Sequence, residues 1–474
     1  MFKEIIKRQL IEDLISFKFL INTIVILCTV VLFSLIFINN YHNIVDDYSR
    51  GNISNETTLT SFARAPRTHL GSTALYCTMQ PRLELFISEA NEGIMPQGFL
   101  FSLQPNSIRD IRQEKEVMYT SISKRDLESP SVTFYPDLTF IVQFLLSFFA
   151  LVLTFNAVSA EKERGTLRLV YSNSIKSGSF ILAKYLAAFL AVFIPLLLGL
   201  ILGLVLLGLF AAGASFPSLA LSFLLFLVIS MLYLSIFILI GLLFSTISQN
   251  SKTSLVLCLL FWVFAVIIIP KSTGAFLNLK AFNVPTEEEI SDLSSKAEKS
   301  AMERFNRESP KGQSDQEEET KIEMRLKMNS ERDKAIQDIN DYYLRKKISA
   351  ITAVRNVNIV SPASLFEYSV SGFTMTGLSH FESVWTRTRQ YANEFTSFLR
   401  DYASTLKSGS FFYPDEAAVS DKPIDANGIP RFTDSPISSG ARTRHALPFV
   451  SLLILYNLLL FTVVIYRFQR CDVR

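Results

Sequence analysis

The chain has 474 residues, of which 49% are hydrophobic and 19% are charged, and its 46 lysines and arginines against 43 aspartates and glutamates give a formal net charge of +3. Soluble domains usually carry about 25% charged residues, so the composition excludes an ordinary soluble protein and predicts membrane-spanning segments. The small net charge decides little, because in a membrane protein the position of each charge matters more than the sum. No nucleic acid is expected as a partner.

The first segment, residues 1–19, is predicted to be an amphipathic elbow helix on the cytosolic face of the membrane, because its apolar residues recur at helical spacing. Residues 20–38 are an apolar run long enough to cross the bilayer, and no small-residue cleavage site follows them. We therefore predict a retained first membrane helix. Residues 39–137 are polar and punctuated by proline, which predicts a small extracytoplasmic α/β domain.

The second membrane helix, residues 138–158, contains two polar side chains among several aromatic ones. Polar groups in hydrocarbon seek partners on neighbouring helices or face a cavity. We name Gln143, Phe144, Phe148 and Asn156 as candidate pathway-lining residues. Packing between helices is the alternative explanation for all four.

The remaining membrane segments follow from apolar runs. Residues 159–176 form a cytosolic connection, residues 177–270 hold membrane helices three to five, and residues 447–466 form the sixth before the cytosolic tail 467–474. This topology has six crossings with both termini in the cytosol. Lysine and arginine cluster in the proposed inside segments, and the short outside loop 211–217 has none, as the positive-inside rule expects.

The segment between helices five and six, residues 271–446, is predicted to be a second extracytoplasmic domain with a helical hairpin at about 286–357. The first helix of the hairpin starts after Pro285, and Ser309–Ser314 separate it from a longer charged helix. Charges at the centre of a bilayer cost at least ~2.5 kcal/mol each, so the hairpin is expected in water, with disorder as the alternative. We expect this arm to bind an external protein rather than line a transport path.

The four cysteines and four histidines indicate neither a disulfide framework nor a metal site. Cys28 and Cys258 fall in predicted membrane helices, Cys77 lies outside and Cys471 inside, so no two thiols share an aqueous compartment. The histidines lack the spacing of metal ligands. An impermeant thiol reagent is expected to reach Cys77 from outside and none of the other three.

No glycine in the sequence is followed by lysine, so the phosphate-binding motif G-x-x-x-x-G-K-[ST] does not occur. The signature motifs of zinc proteases and serine hydrolases are also missing from the sequence. We predict a non-catalytic chain without a cofactor of its own. Any ATP-driven work then requires a separate ATPase subunit.

Residues 159–170 separate the second and third apolar runs with the charged sequence S-A-E-K-E-R-G-T-L-R-L-V. A helix end that carries Glu161 and Glu163 can pair with basic groups or backbone N–H groups of a partner. Gly165 permits close approach or a turn, and Leu167 offers an apolar contact. A solvated connector that merely satisfies the topology is the alternative.

This stretch resembles the cytosolic coupling helix of type-2 ATP-binding-cassette (ABC) exporter permeases, in which E-x-E-x-G-T-L follows the second membrane helix. The stretches Pro81–Phe86, Gly93–Pro96 and Ser361–Tyr368 are similar to a subfamily with large extracytoplasmic domains. The resemblance implies a mainly α, polytopic membrane protein with six transmembrane helices, a small α/β extracytoplasmic domain and a long extracytoplasmic helical hairpin. It assigns ATPase coupling to Glu161, Glu163, Arg164, Gly165, Thr166 and Leu167.

The resemblance also implies a bacterial cytoplasmic (inner) membrane protein that pairs with a second permease copy or a paralogue. Its further partners are cytosolic ABC ATPase subunits, which bind the ATP and magnesium. We predict a permease subunit that couples ATP hydrolysis to export of a substrate that the sequence does not identify. Two alternatives remain: mechanical transmission to an extracytoplasmic protein partner without substrate passage, and a membrane-anchored adaptor or receptor without an ATPase.

Overall fold

The computed structural model describes residues 2–65, 74–88, 98–102, 107–110, 137–166, 177–210, 216–270, 285, 287–309, 315–405, 423–433 and 439–470. Most of these residues are helical, and the described strands are few and short. This distribution agrees with the apolar runs and the long charged helices that the sequence predicts.

The first two helices, α1 (Phe2–Ile15) and α2 (Phe17–Arg64), are separated by Ser16. The Ser16 hydroxyl accepts a hydrogen bond from the backbone N–H of Phe19 at 3.2 Å, which satisfies one of the free donors at the start of α2. α2 has 48 residues, and at 1.5 Å per residue it is ~70 Å long, more than twice the ~30 Å hydrocarbon core. The helix therefore extends well beyond the membrane, into the region predicted as the first outer domain.

Six helices of the described chain are long and apolar enough to cross a membrane. They are α2, α3 (Leu138–Glu163), α4 (Ser177–Phe210), α5 (Phe216–Ile247), α6 (Ser251–Ile268) and α11 (Ser439–Gln469). α3 contains a π-helical segment at Ile141–Leu146, and α6 ends in another at Val263–Ile268. The predicted mainly α, polytopic fold with six candidate membrane helices is confirmed.

A short helix, α9 (Pro362–Thr374), is buried in the helix bundle although it is not a span. Ser361 caps its start, and Met375 ends it in the left-handed conformation with a φ of 54°. The ring of Phe366 stacks on Tyr233 of α5 with 4.5 Å between centroids. α9 also packs against α11, so this link between the fifth and sixth spans returns into the bundle.

Close packing between spans depends on a glycine in α5. A Cβ atom at Gly241 would lie 1.9 Å from Oγ1 of Thr154 in α3. Such a distance is far below van der Waals contact, so glycine is required for the two helices to approach this closely. The hydroxyl of Tyr233 donates to the carbonyl of Gln143 at 3.0 Å and adds a hydrogen bond between the same two helices.

Outside the bundle, three short strands form an antiparallel sheet. They are β1 (Ala74–Thr78), β2 (Gly98–Ser102) and β3 (Ser107–Asp110), and they pair in that order. Cys77 of β1 is paired with Phe99 of β2. The strands are too short to be stable alone, so the sheet needs a hydrophobic face packed on helices.

Two charged helices, α7 (Glu287–Glu308) and α8 (Asp315–Asn358), pack on each other as a hairpin, as the sequence predicts. Ala301 and Phe305 are buried and lie four residues apart, so they share one face of α7. α8 has 44 residues and is ~66 Å long at 1.5 Å per residue. A narrow apolar face therefore joins two otherwise hydrophilic helices.

The helix α10 (Leu378–Thr405) completes an outer unit with one hydrophobic core. The core includes Leu59, Phe62, Cys77, Phe99, Phe101, Ile351, Phe381, Phe395 and Ile429. These residues come from α2, the sheet, α8, α10 and the segment 423–433. Residues 39–137 and 271–446, which the sequence pattern suggested as two domains, thus contribute to the same core.

Cys77 lies in this core and is fully buried, which corrects the expectation that an external reagent reaches it. Burial raises the pKa of the Cys77 thiol to about 12, so hardly any thiolate exists at neutral pH. No local pattern in the sequence indicates that α10 packs against β1 and contributes to the core that buries Cys77.

We expect native protein to leave Cys77 unmodified by an impermeant maleimide and to become modified only after unfolding. The matched control is Ser54→Cys, which places a thiol at an exposed position on the outer part of α2 and should react without unfolding. Peptide mass spectrometry identifies the modified thiol. Fast labelling of Cys77 in the folded protein would contradict the shared outer core.

Candidate functional site

The residues Ser159–Thr166, called the coupling segment here, close the end of α3. Ser159–Glu163 are helical, and a turn follows. Gly165 has a φ of 70°, a left-handed conformation that glycine adopts without strain. The Thr166 hydroxyl donates to the carbonyl of Glu161 at 3.2 Å, which closes the turn.

A partly buried ion pair joins the coupling segment to α4. Nζ of Lys184 lies 2.6 Å from Oε1 of Glu161 and also donates to Oε1 of Gln9 in α1 at 2.9 Å. Only 8% of the Lys184 side chain is exposed, so its charge needs these partners. Lys184 therefore connects three elements, namely the coupling segment, α4 and α1.

Hydrogen bonds that involve the Lys162 side chain and the Ser245 hydroxyl join the coupling segment to the end of α5. Nζ of Lys162 donates to the carbonyls of Thr246 and Ser248, the latter at 3.2 Å. The Ser245 hydroxyl accepts hydrogen bonds from the backbone N–H groups of Val158 and Ser159 at 2.9 and 3.0 Å. The Lys162 bonds satisfy carbonyls at and just beyond the C-terminal end of α5, which have no partners within that helix, and the Ser245 bonds satisfy two backbone N–H groups of α3.

Glu163 joins the coupling segment to α6. Its carboxylate accepts hydrogen bonds from the backbone N–H of Ser251 at 2.7 Å and from the Ser251 hydroxyl at 3.0 Å. Ser251 is the first residue of α6. A carboxylate is favourable there because the N-terminus of a helix has free N–H groups and the positive end of the helix dipole.

The residues predicted for ATPase coupling thus fall into two groups. Glu161, which is partly buried, and Glu163, which is exposed, both bind other helices of this chain, whereas Arg164, Gly165 and Thr166 form the exposed tip of the segment. The predicted residue Leu167 lies outside the described residues. The two glutamates hold the segment in place, and the exposed tip is the part available to a partner.

Sequence reasoning did not name Lys162, Lys184 or Ser245 as site residues. A signal existed for Lys184, because a cation within an apolar run needs a partner. Ser245 gave no such signal, since its partners lie 86 and 87 residues away in the chain. Serine is also common in membrane helices, where it bonds to its own backbone.

The elbow helix α1 carries a second polar group close to this network. Nε2 of Gln9 donates to Oδ1 of Asp13 at 3.1 Å. Burial raises the pKa of the Asp13 carboxyl to about 6, although the Gln9 hydrogen bond and the Lys184 charge both favour its ionised form. The packing of α1 on α4 therefore depends on the protonation state of Asp13.

The candidate pathway-lining residues lie along α3. Gln143 lies in the π-helical segment of α3 and is buried. The rings of Phe144 and Phe148 pack edge-on to Trp262 of α6, with centroid distances of 6.3 and 5.5 Å. Asn156 lies two turns beyond Phe148, near the coupling segment. Pathway lining stays a prediction for all four residues.

The comparison with known protein families identifies the family of this chain. A family model described as "ABC-2 family transporter protein" matches residues 10–473. The chain belongs to the ABC-2 family. No curated protein matches the chain significantly.

This ABC-2 permease is therefore a membrane-integral subunit of an ABC transporter. Permeases of the family are generally non-catalytic and associate with ABC ATPase subunits. The matched range includes both segments that contribute to the outer unit.

We expect Lys184→Met to lower the stability of the permease by about 1.5–3 kcal/mol, the usual worth of a hydrogen bond to a charged group. The double variant Glu161→Gln/Lys184→Met should lose less stability than Lys184→Met alone, because it leaves no carboxylate without its lysine partner. Thermal unfolding in detergent measures both, with Lys252→Met on the exposed start of α6 as the control. A loss of stability in the double variant equal to or greater than that of Lys184→Met would contradict the ion pair.

We expect the packing of α1 to weaken as the pH rises from about 4 to about 6. The pKa of the Asp13 carboxyl is raised when α1 is packed, so this carboxyl binds its proton more tightly in the packed state than in the unpacked state. The packed state therefore loses stability as the pH rises and the proton dissociates. Hydrogen exchange of α1, corrected for intrinsic rates, measures this change. Asp13→Asn should abolish the pH dependence and Glu12→Gln should preserve it, and the opposite pattern would contradict the assignment.

Proposed function

We propose that this permease receives the movement of a separate ABC ATPase through the tip of the coupling segment and uses it to export a substrate. The observation that carries the proposal is the attachment of one short segment to three helices. Glu161 binds α4, Lys162 binds α5 and Glu163 binds α6. The tip, Arg164–Thr166, stays exposed.

This arrangement suits the transfer of force. Each attachment is a charge-assisted hydrogen bond, which is stronger and more directional than a neutral one. A displacement of the tip therefore moves α4, α5 and α6 together. A coupling segment without these attachments would bend and leave the three helices in place. The alternative of a solvated connector does not account for three side chains with three separate helical partners.

The partners of the permease follow from the same proposal. ATP and magnesium bind to the ATPase subunits, because the chain has no phosphate-binding motif. A second permease copy or a paralogue completes the membrane part. We place both termini in the cytosol of a bacterial cell and the outer unit outside the inner membrane, since lysine and arginine concentrate at the ends of the bundle near the coupling segment.

A specific feature of the fold favours a second candidate function, mechanical transmission to an extracytoplasmic protein. α2 runs without interruption from the bundle into the outer core, where Leu59 and Phe62 are buried. Movement of the bundle would therefore move the outer unit whether or not a substrate passes. The adaptor without an ATPase is disfavoured by membership of the ABC-2 family.

We expect Arg164→Glu to weaken association with the ATPase that co-purifies with the wild-type chain at least tenfold, because the substitution reverses the charge of the exposed tip. The folded bundle should be unaffected, since the Arg164 side chain makes none of the attachments described above. The control is Lys334→Glu, a charge reversal at an exposed position of α8 in the outer hairpin. Pull-down and the stimulated ATPase rate measure the effect.

The result against the proposal is equal ATPase binding and activity in the tip variant and the wild type. Absence of any co-purifying ATPase would favour the adaptor. A cryo-EM structure of the complex with an ATP analogue separates the other two functions. A continuous passage between permeases supports export, whereas closed spans beneath a displaced outer unit support mechanical transmission.

A further inference from the structure

Ser361 lies where the outer hairpin meets the bundle, and it is fully buried. Its hydroxyl donates to the carbonyl of Ala265 in the π-helical end of α6 at 2.5 Å. The same oxygen accepts hydrogen bonds from the backbone N–H groups of Ala363 at 3.1 Å and Ser364 at 3.3 Å. One hydroxyl thus joins the end of α6 to the start of α9, directly after the last turn of α8.

The base of α8 is held by further contacts with the bundle. The guanidinium group of Arg355 lies over the rings of Tyr368 in α9 and Phe449 in α11, at 4.5 and 4.6 Å from their centroids. The hydroxyl of Tyr456 donates to the carbonyl of Val360 at 3.3 Å. The hairpin is therefore not a loosely tethered arm, because its last turns are packed on two other helices.

The opposite end of α6 is attached to the coupling segment, as described for Glu163. Along its length, the Ser254 hydroxyl donates to the carbonyl of Phe155 at 2.6 Å, and Nε1 of Trp262 donates to the Ser147 hydroxyl at 2.9 Å. α6 and α3 are thus joined at three levels. We therefore expect the two helices to move together.

The outer part of α6 contains the π-helical segment Val263–Ile268, which includes the carbonyl of Ala265. The helical conformation continues to Pro270, the last residue described there. Ser251 and Ala265 lie ~21 Å apart along the helix, so Glu163 and Ser361 hold α6 at two well-separated positions. The helix between them is continuous, and a displacement applied at one position is carried to the other.

We propose that Ser361 is a positioning residue that transfers movement of α6 to the outer hairpin. π-Helical turns in otherwise regular helices are frequent at functional sites, and serine side chains commonly supply the hydrogen bonds that irregular backbone in a membrane needs. When α6 shifts, the hydrogen bond to Ala265 carries Ser361 with it. The end of α8 and the start of α9 follow, because both are covalently joined to this residue. The inference depends on the proposed function for the source of the movement.

The experiment uses the permease in complex with its co-purifying ATPase in lipid nanodiscs. Hydrogen exchange is compared between the ADP state and the state trapped with ATP and vanadate. In the wild type, we expect the hydrogen exchange of the coupling segment and that of residues 337–358 of α8 both to differ between the two states. In Ser361→Ala, the difference in α8 should fall at least threefold while the difference in the coupling segment persists.

Two further variants separate positioning from simple stabilisation. Ser361→Thr keeps the hydroxyl and should keep the response of α8. Ser369→Ala removes another buried hydroxyl of α9, one that donates only within its own helix to Leu365 at 2.7 Å, and should also keep the response. A general loss of stability in α9 would instead make Ser361→Ala and Ser369→Ala behave alike.

Each remaining outcome has a definite meaning. A full α8 response in Ser361→Ala, or a lost one in Ser361→Thr, overturns the assignment of Ser361. A wild type in which the coupling segment responds but α8 does not overturns this inference and leaves the proposed function intact. A wild type in which neither responds contradicts the proposed function and this inference together.

Discussion

The arrangement of the bundle depends on one constraint, that a charge or a free backbone group at the edge of hydrocarbon must find a partner. Lys184 meets it with Glu161, and Lys162 meets it with the last carbonyls of α5. These pairings are local in space and distant in sequence, so each one fixes the position of one helix end against another. The residues before the exposed tip of the coupling segment, Glu161 to Glu163, are all bound in this way.

The same constraint explains why the outer unit is attached to the bundle at more than one point. α2 passes from hydrocarbon into water without a break, because apolar residues give way to polar ones while helical hydrogen bonding continues. The chain returns through the base of α8, where Arg355 is stabilised by two aromatic rings. Two separate helices therefore join the bundle to one outer core. A unit attached in this way cannot easily rotate independently of the spans.

The sequence predicts the elements of this protein better than it predicts their contacts. Apolar runs of sufficient length identify the spans, and the break at Ser309–Ser314 separates the two helices of the hairpin, because both signals are local. The burial of Cys77 and the outer core shared by α2 and α10 arise from contacts hundreds of residues apart, and no local pattern encodes them. For the coupling segment, the motif draws attention to Glu161 and Glu163, but their contacts with Lys184 and Ser251 form only in the folded chain, and their role in ATPase coupling stays a prediction.

α6 and α2 represent two ways of crossing the same membrane. α2 exceeds the hydrocarbon thickness more than twofold and ends in the outer core, so its outer half is held by packing over a large area. α6 is held at its start by hydrogen bonds to Glu163 and in its π-helical segment by a hydrogen bond from Ser361. A few directional bonds can exchange partners at small cost, whereas a packed core cannot. Conformational change is therefore expected to pass along α6, whereas the outer half of α2 moves as one body with the outer core in which it is packed.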